Sequence, residues 1–517
     1  MWPFAAAAAN PSFRRAFPRT AAAMAGLLLF CLAALAGLLV YQPLWLRPLG
    51  VFAACAIAVA LWRGRSTSGR SRGLPPGSLS LTPFGYLCSP LFIQRQADRY
   101  GRTFKMNQFG RGAGPNPRLR LWQPVVCILG LDRAQKILRE HDAGLLPTVA
   151  PFNRFIPKGY LRYMSRQDHA HYRRIFQEAI KPAVIDANLP LIEQHLRSHL
   201  PAVAIDLNER GLAPEDALKE LAFAWFMLLF FGLPPGDARL ESLRHWYAMS
   251  SVSNGNDRQA QKALEELGAF LLQHSRVYLS ANPGEQNPVP SFLGELVLAN
   301  REALHDINLM RNLIYIAQAS WIDFSGLLGW LFKTCCEEPA WAAQLRQEAV
   351  SKAHPGAAPL SLRFLQEVLR LRQSEYLYRT ALTEISFDGF TIPQGWLLRF
   401  CTRENHRDPA VFDQPHAFNP DRFLDPAPTG KEYAPFGASR IACLGIHLTQ
   451  RLATCFLLAL TENYDCQVVR DGPPEFRYWH WKPSSKFRAR MVASAPRFSV
   501  AGPVPAVAGP ARTFAPW

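Results

Sequence analysis

The residue best placed for chemistry is Cys443, in the stretch Ala434-Pro-Phe-Gly-Ala-Ser-Arg-Ile-Ala-Cys443-Leu-Gly-Ile-His-Leu448. A loop of small residues presents the cysteine, and an apolar helical pattern over 446–460 follows at once. A thiolate at a helix N-terminus is stabilised by unpaired backbone N–H groups and by the helix dipole. Such a thiolate is a good ligand for a soft metal centre or for haem iron. Gly445 would let a flat macrocycle approach the backbone, and Phe436 would shield the sulfur. A structural cysteine, buried as a small hydrophobe, has the same local sequence, so this segment alone leaves both readings open.

Two further segments narrow the choice. Glu367-Val-Leu-Arg370 places an acid and a base at i and i+3 of a helical pattern, on one face and within pairing distance. Phe418-Asn-Pro-Asp-Arg422-Phe423 follows, and then the Cys443 loop. In this order the three segments resemble the cytochrome P450 family of haem-thiolate enzymes, over roughly 74–500. Leu74-Pro-Pro-Gly77, Tyr100-Gly-Arg-Thr-Phe-Lys105, His169-Ala-His-Tyr-Arg173 and Asp408-Pro409 match further segments of the family. The resemblance implies a mainly α fold, a helical bundle around a buried haem b with small β-sheets. It implies Cys443 as axial thiolate, and Glu367, Arg370 and Arg422 as a buried salt-bridge triad. It assigns His169, Arg173 and Arg379 to the haem propionates, since paired anions need buried cations.

The sequence also departs from the family pattern. The haem loop ordinarily has a second glycine where Ser439 stands, and an arginine where Ile441 stands; Arg440 is one residue off. On the long distal helix an acid followed by threonine is expected. Here the matching stretch is Ala319-Ser320-Trp321-Ile322-Asp323, with Phe324 next. No alcohol falls at the usual place, so Asp323, with Ser320 nearby, is the candidate for proton transfer. The expected activity is hydroxylation or epoxidation of a lipophilic small molecule, in natural-product biosynthesis, with O2 and electrons from a separate reductase. Lys431, Arg440 and Arg451 flank Cys443 as a candidate basic docking face. Two alternatives stay open: rearrangement or dehydration without O2 activation, and a haem-binding protein that has lost catalysis.

The elements that must position these residues follow from periodicity. Long helical patterns fill 182–371, among them 215–231, 258–279 and an apolar, proline-free run over 305–334. Strand patterns occupy 103–109, 119–129 and 384–399, the last with turns at Asp388-Gly389 and Pro393-Gln-Gly395. The segment 147–164, with Phe152, Phe155, Tyr160 and Tyr163, is expected over the haem; 373–378 adds polar residues that hint at a substrate with a polar handle. The glycines of 110–114 lack the strand–turn–helix context of a dinucleotide fingerprint.

The chain has 517 residues, half of them hydrophobic, and a net charge of +17, which excludes a disordered chain. Nine arginines and no acid lie in 1–97, seven cations and no acid in 476–517, and the body between is nearly neutral. Apolar runs at 21–41 and 49–62, flanked by arginines, read as one transmembrane helix or a hairpin with the large domain in the cytosol, on the endoplasmic reticulum if the source is eukaryotic. The N-terminal charge is thus a topology signal facing membrane lipid, not a nucleic-acid footprint, and the C-terminal cations have no role assigned by the sequence. The expected organisation is an anchor over 1–65, a Pro/Gly/Ser-rich linker over 66–80, a haem domain over 81–500 and a Pro/Ala-rich tail over 501–517. The ten cysteines include no Cys-x-x-Cys pair, so no zinc framework is visible.

Overall fold

The computed structural model describes residues 73–79, 82, 91–111, 119–147, 155–250, 256–280, 288–351, 359–372, 377–424, 427–437, 439–477 and 480–494. The anchor, the first part of the linker, the tail, Phe152 and most of the polar segment 373–378 lie outside the described residues. Among the described residues no helix is long and apolar enough to cross a membrane.

In chain order the elements are β1 (Gly77–Ser78), α1 (Phe92–Tyr100), β2 (Thr103–Arg111), β3 (Leu119–Ile128), α2 (Leu131–Glu140), β4 (Leu145–Pro147), α3 (Arg166–Ala179), α4 (Pro182–Asn208), α5 (Pro214–Phe231), α6 (Arg239–Ser250), α7 (Asp257–Leu279), α8 (Phe292–Ala299), α9 (Ile307–Glu337), α10 (Pro339–Ser351) and α11 (Leu360–Arg372). Then come β5 (Leu377–Ala381), β6 (Ile385–Phe387), β7 (Phe390–Ile392), β8 (Leu397–Phe400), α12 (Ile446–Asn463), β9 (Tyr464–Arg470), β10 (Glu475–Arg477), β11 (His480–Lys482) and β12 (Arg488–Ala493), with a single helical turn at Thr402–Asn405 before α12. The fold is mainly helical with small sheets.

The helical core gathers around α9, which at 31 residues spans about 46 Å. Its start is fixed by Asp306, whose carboxylate accepts from Asn308 N at 2.8 Å and Leu309 N at 3.4 Å. Helix α5 is buried without a break from Leu221 to Phe231, so it reads as apolar on every side and packs directly on α9. Each buried Phe or Leu there contributes roughly 1.5–3 kcal/mol of transfer free energy.

The larger sheet has the strand order β1-β2-β3-β8-β5-β4. Strands β3 and β8 pair in parallel from Val125↔Leu397 to Ile128↔Phe400, and β8 is buried at every position. The hairpin β6–β7 turns at Asp388 (φ 54°) and Gly389 (φ 73°), the left-handed pair that a tight two-residue turn requires.

The end of the linker is part of this sheet. Gly77 and Ser78 pair in parallel with Lys105 and Met106, and the buried Lys105 Nζ donates to Pro75 O at 2.6 Å. Gly77 adopts φ 121°, and a Cβ there would overlap the Lys105 carbonyl oxygen. Only glycine allows this approach. Gly77→Ala is therefore expected to release β1, lowering stability by about 1–3 kcal/mol and exposing 73–79 to limited proteolysis. An unchanged melting temperature and digestion pattern would contradict this.

Candidate active site

Helix α11 divides its residues by face. Val368, Leu369 and Arg372 line a cavity, while Glu367 and Arg370 point away from it and are fully buried. Arg370 Nε donates to Glu367 Oε2 at 2.6 Å and Arg370 Nη2 to Glu367 Oε1 at 2.7 Å. The rest of the guanidinium donates to backbone carbonyls: His406 at 2.6 Å, Pro415 at 2.7 Å and Ala417 at 3.2 Å. Glu367 Oε1 also accepts from Asn419 N at 2.9 Å and Arg422 Nε at 3.3 Å. Arg422 continues outward to the carbonyls of Asp413 and Gln414. These three side chains hold 406–422 as one body.

That body is tied to the cysteine loop through a residue that sequence reasoning missed. His406 is fully buried, and its Nε2 accepts from Ala434 N at 3.0 Å. Burial, then the Arg370 and Arg407 charges, lower its pKa to about 3, so it stays a neutral acceptor. No local pattern marks His406, because its partner lies 28 residues away.

The loop itself folds back at Cys443 N, which donates to Phe436 O at 2.9 Å. The Sγ faces the cavity and accepts from Gly445 N at 3.3 Å, at the threshold of α12. This N–H arrangement stabilises sulfur as thiolate. Ser439 adopts φ 67°, the left-handed conformation that glycine takes without penalty. The backbone thus keeps a glycine-type turn although the side chain is serine.

The cavity measures about 250 Å³. Of the sequence candidates, Cys443, Phe436, Gly445, Ser320, Asp323, His169 and Arg173 all line it. His169 and Arg173 sit at i and i+4 of α3, whose cap is Ser165 Oγ accepting from Asp168 N at 3.1 Å. Arg379 is not among the lining residues; it is buried on β5, and its Nη1 donates to Tyr378 O at 2.7 Å. Sequence reasoning also missed Phe226 and Phe230 of α5, Trp330 of α9, and Trp481 and Lys482 of β11. The signal of the aromatic ones was apolar patterning, which marks core and cavity wall alike. Lys482 is buried, and its Nζ donates to Glu215 Oε1 at 2.6 Å, so this member of the basic C-terminal stretch is not a surface charge.

Cations crowd the His169 end. Burial, then the charges of Arg440 and Arg173, lower the His169 pKa to about 4. Burial, then Arg162 and Arg440, lower Arg379 to about 10. Asp142 is the acid that opposes both, and it accepts from Arg440 Nε at 3.1 Å. Arg440 Nη1 is buried and finds no hydrogen-bond partner among the described residues. A partly buried cationic cluster with one carboxylate and an orphaned donor suits a ligand bearing anionic groups. Of the proposed docking cations, Arg440 is engaged by Asp142 and Arg451 by Asp186 at 2.7 Å.

Two outcomes follow. Replacing Arg370 by Lys leaves Glu367 and several carbonyls unsatisfied and is expected to cost about 3–5 kcal/mol in urea unfolding; a loss below 1 kcal/mol would contradict the hub role. His169 and His406 have pKa values below the ordinary 6.5, so the unfolded chain binds protons that the folded chain refuses. The stability these two histidines contribute is therefore fully present above about 6.5 and is lost as pH falls through about 4 and about 3. His406→Gln, which keeps an acceptor, is expected to flatten that fall; an identical profile would contradict the assignment.

The chain matches the cytochrome P450 family over residues 91–483. It is 24% identical to abscisic acid 8'-hydroxylase 1 of Arabidopsis thaliana, over 77% of this chain and 86% of that protein. It is 23% identical to cytochrome P450 26A1 of Gallus gallus, over 84% of this chain and 93% of that protein. Among solved structures, a retinoic acid-bound cyanobacterial CYP120A1 superposes with a TM-score of 0.65 at 20% identity, covering 82% of this chain and all of that one.

Proposed function

The chain belongs to the cytochrome P450 family of monooxygenases, and from that premise we propose that it hydroxylates or epoxidises a lipophilic small molecule in natural-product biosynthesis. The overall change is RH + O2 + 2 H⁺ + 2 e⁻ → ROH + H2O, or the corresponding epoxide, with electrons from a separate reductase. The observation that carries the reading is Cys443 Sγ, presented to a largely apolar cavity opposite the distal helix α9. Phe226, Phe230, Ile316, Leu327 and Trp330 line it and suit a lipophilic substrate. The relatives are named for oxidising abscisic acid, or were solved with retinoic acid, which agrees with that class.

The donor set fits haem b. Cys443 would supply the thiolate that holds the iron, with Phe436 and Gly445 beside the sulfur. His169 and Arg173 would receive the propionates, Arg440 Nη1 would gain the partner it lacks, and Arg379 would add charge from behind. Glu367, Arg370 and Arg422 hold the loop that carries the ligand. When bound, the haem supplies O2 activation, which its thiolate favours by pushing electron density toward O–O cleavage. The chain's own part is to orient substrate against the apolar wall, exclude water and move protons, with Asp323 and Ser320 facing the cavity. We place the haem domain on the cytosolic face of a membrane, anchored by the N-terminal apolar segment or hairpin; nine arginines without an acid in 1–97 support this.

One observation favours a second reading, rearrangement or dehydration of an oxygenated substrate: on α9 the residues on either side of Asp323 are Ile322 and Phe324, so no alcohol stands next to that acid. Reductase-dependent O2 consumption with substrate separates the two, since the second reading yields product without O2. For the haem-thiolate centre itself, the reduced carbon monoxide complex is expected to show the red-shifted Soret band, and Cys443→Ser to abolish it. A native protein without that band, or a serine variant that keeps it, would overturn the reading.

A further inference from the structure

This inference rests on the monooxygenase reading and concerns how protons reach the cavity. On α9 the residue after Asp323 is Phe324, buried against Trp225 and Phe226 with ring centroids at 6.3 and 5.5 Å. The helix therefore brings no alcohol beside its acid; Ser320 lies one turn earlier on the same lining face. A phenol-bearing residue lines the cavity from a different segment. Tyr160 lines the same cavity as Ser320, Asp323 and Cys443.

Tyr160 is not carried on a loose loop. Polar side chains near the start of α9 grip 155–161: Lys158 N donates to Asn308 Oδ1 at 2.8 Å, and Leu161 N to Asn312 Oδ1 at 2.6 Å. Asn312 Nδ2 donates back to Gly159 O at 3.3 Å, and Arg311 Nη1 donates to Phe155 O. Asn312 is fully buried. A buried amide satisfied on both its oxygen and its nitrogen fixes the two backbones to each other. The helix that carries Asp323 thus also sets the position of Tyr160. Burial raises the phenol's pKa well above its ordinary value, against the opposing charge of Arg162. The group keeps its proton and remains a donor.

We propose that Tyr160 is a proton-donating residue of the active site, its phenol acting with Asp323 in place of an alcohol next to that acid on α9, and that Asn312 is its positioning residue. A proton leaves Tyr160 Oη for the reacting oxygen in the cavity. Asp323, protonated from solvent, returns one to the phenolate by way of Ser320 or water, so each transfer brings in one solvent proton. Two transfers, with two electrons from the reductase, release one oxygen atom as water.

The test uses the full-length, haem-loaded protein with carbon monoxide as probe, together with reductase-driven turnover. Native protein is expected to show a C–O stretch that shifts between H2O and D2O, reporting a donor over the ligand. Tyr160→Phe is expected to keep the Cys443-dependent Soret band, lose the D2O shift, release more peroxide per electron and lower productive turnover by about 10²-fold. Asn312→Ala, which keeps the phenol but frees its segment, is expected to weaken the D2O shift. A Tyr160→Phe variant whose C–O stretch and D2O response match the native protein overturns the proposal while leaving the haem-thiolate reading intact. Loss of Cys443 dependence of the Soret band would instead overturn the reading on which it rests. Should Tyr160→Phe fail to load haem, Asn312→Ala decides by the same vibrational readout, and a native response there overturns the proposal.

Discussion

The structure turns on burying the Arg370 guanidinium and the Glu367 carboxylate together. Neither is exposed to solvent, and each would cost several kcal/mol if left alone. The cost is offset because almost every donor has a partner: two bonds run to Glu367 and three to the carbonyls of His406, Pro415 and Ala417. Those carbonyls belong to a stretch with little regular secondary structure. Its shape comes from the charge pair instead, so a side-chain interaction on α11 takes the place of a sheet or helix ladder. Phe412, with its ring centroid 5.0 Å from the guanidinium carbon, closes the remaining side.

From that centre the constraint passes outward in named steps. Arg370 fixes the His406 carbonyl, the neutral His406 imidazole fixes Ala434 N, and the loop beyond Ala434 closes on Phe436 O through Cys443 N. The sulfur is thereby held against α12 without contributing to the core itself. On the other side of the cavity, α9 is held by its apolar packing on α5 and carries both Asp323 and the asparagines that grip the Tyr160 segment. Two rigid supports facing each other across an apolar space make a site that needs little reorganisation, the condition under which fixed dipoles act most strongly.

The sequence carried the parts of this whose cause is local. The Glu367/Arg370 spacing, the small-residue loop before Cys443, the proline-free run of α9 and the Asp388-Gly389 turn are short-range patterns, and each appears as an element or pairing within a few residues of where periodicity put it. The match to the family over 91–483 agrees with the resemblance drawn from three short segments. What sequence reasoning missed depends on distant partners. His406 meets Ala434, Asn312 meets Leu161, and Lys482 meets Glu215, across 28, 151 and 267 residues. Periodicity cannot register such pairs. Arg379 sits on β5 with its Nη1 bonded to the Tyr378 carbonyl, a pairing that residue spacing does not register either. Ser439 shows that a backbone can keep a glycine conformation after the glycine is gone, which a residue-type pattern reads as a mismatch.

The central claim is that Cys443 sulfur is the protein ligand of a haem iron held in this cavity. X-ray absorption at the iron edge of the purified, haem-loaded chain tests it most directly. The account predicts one sulfur scatterer in the iron shell, lost in Cys443→Ser while the other shells persist. An iron shell of nitrogen and oxygen alone in the native protein, or a sulfur signal that survives the substitution, would contradict it.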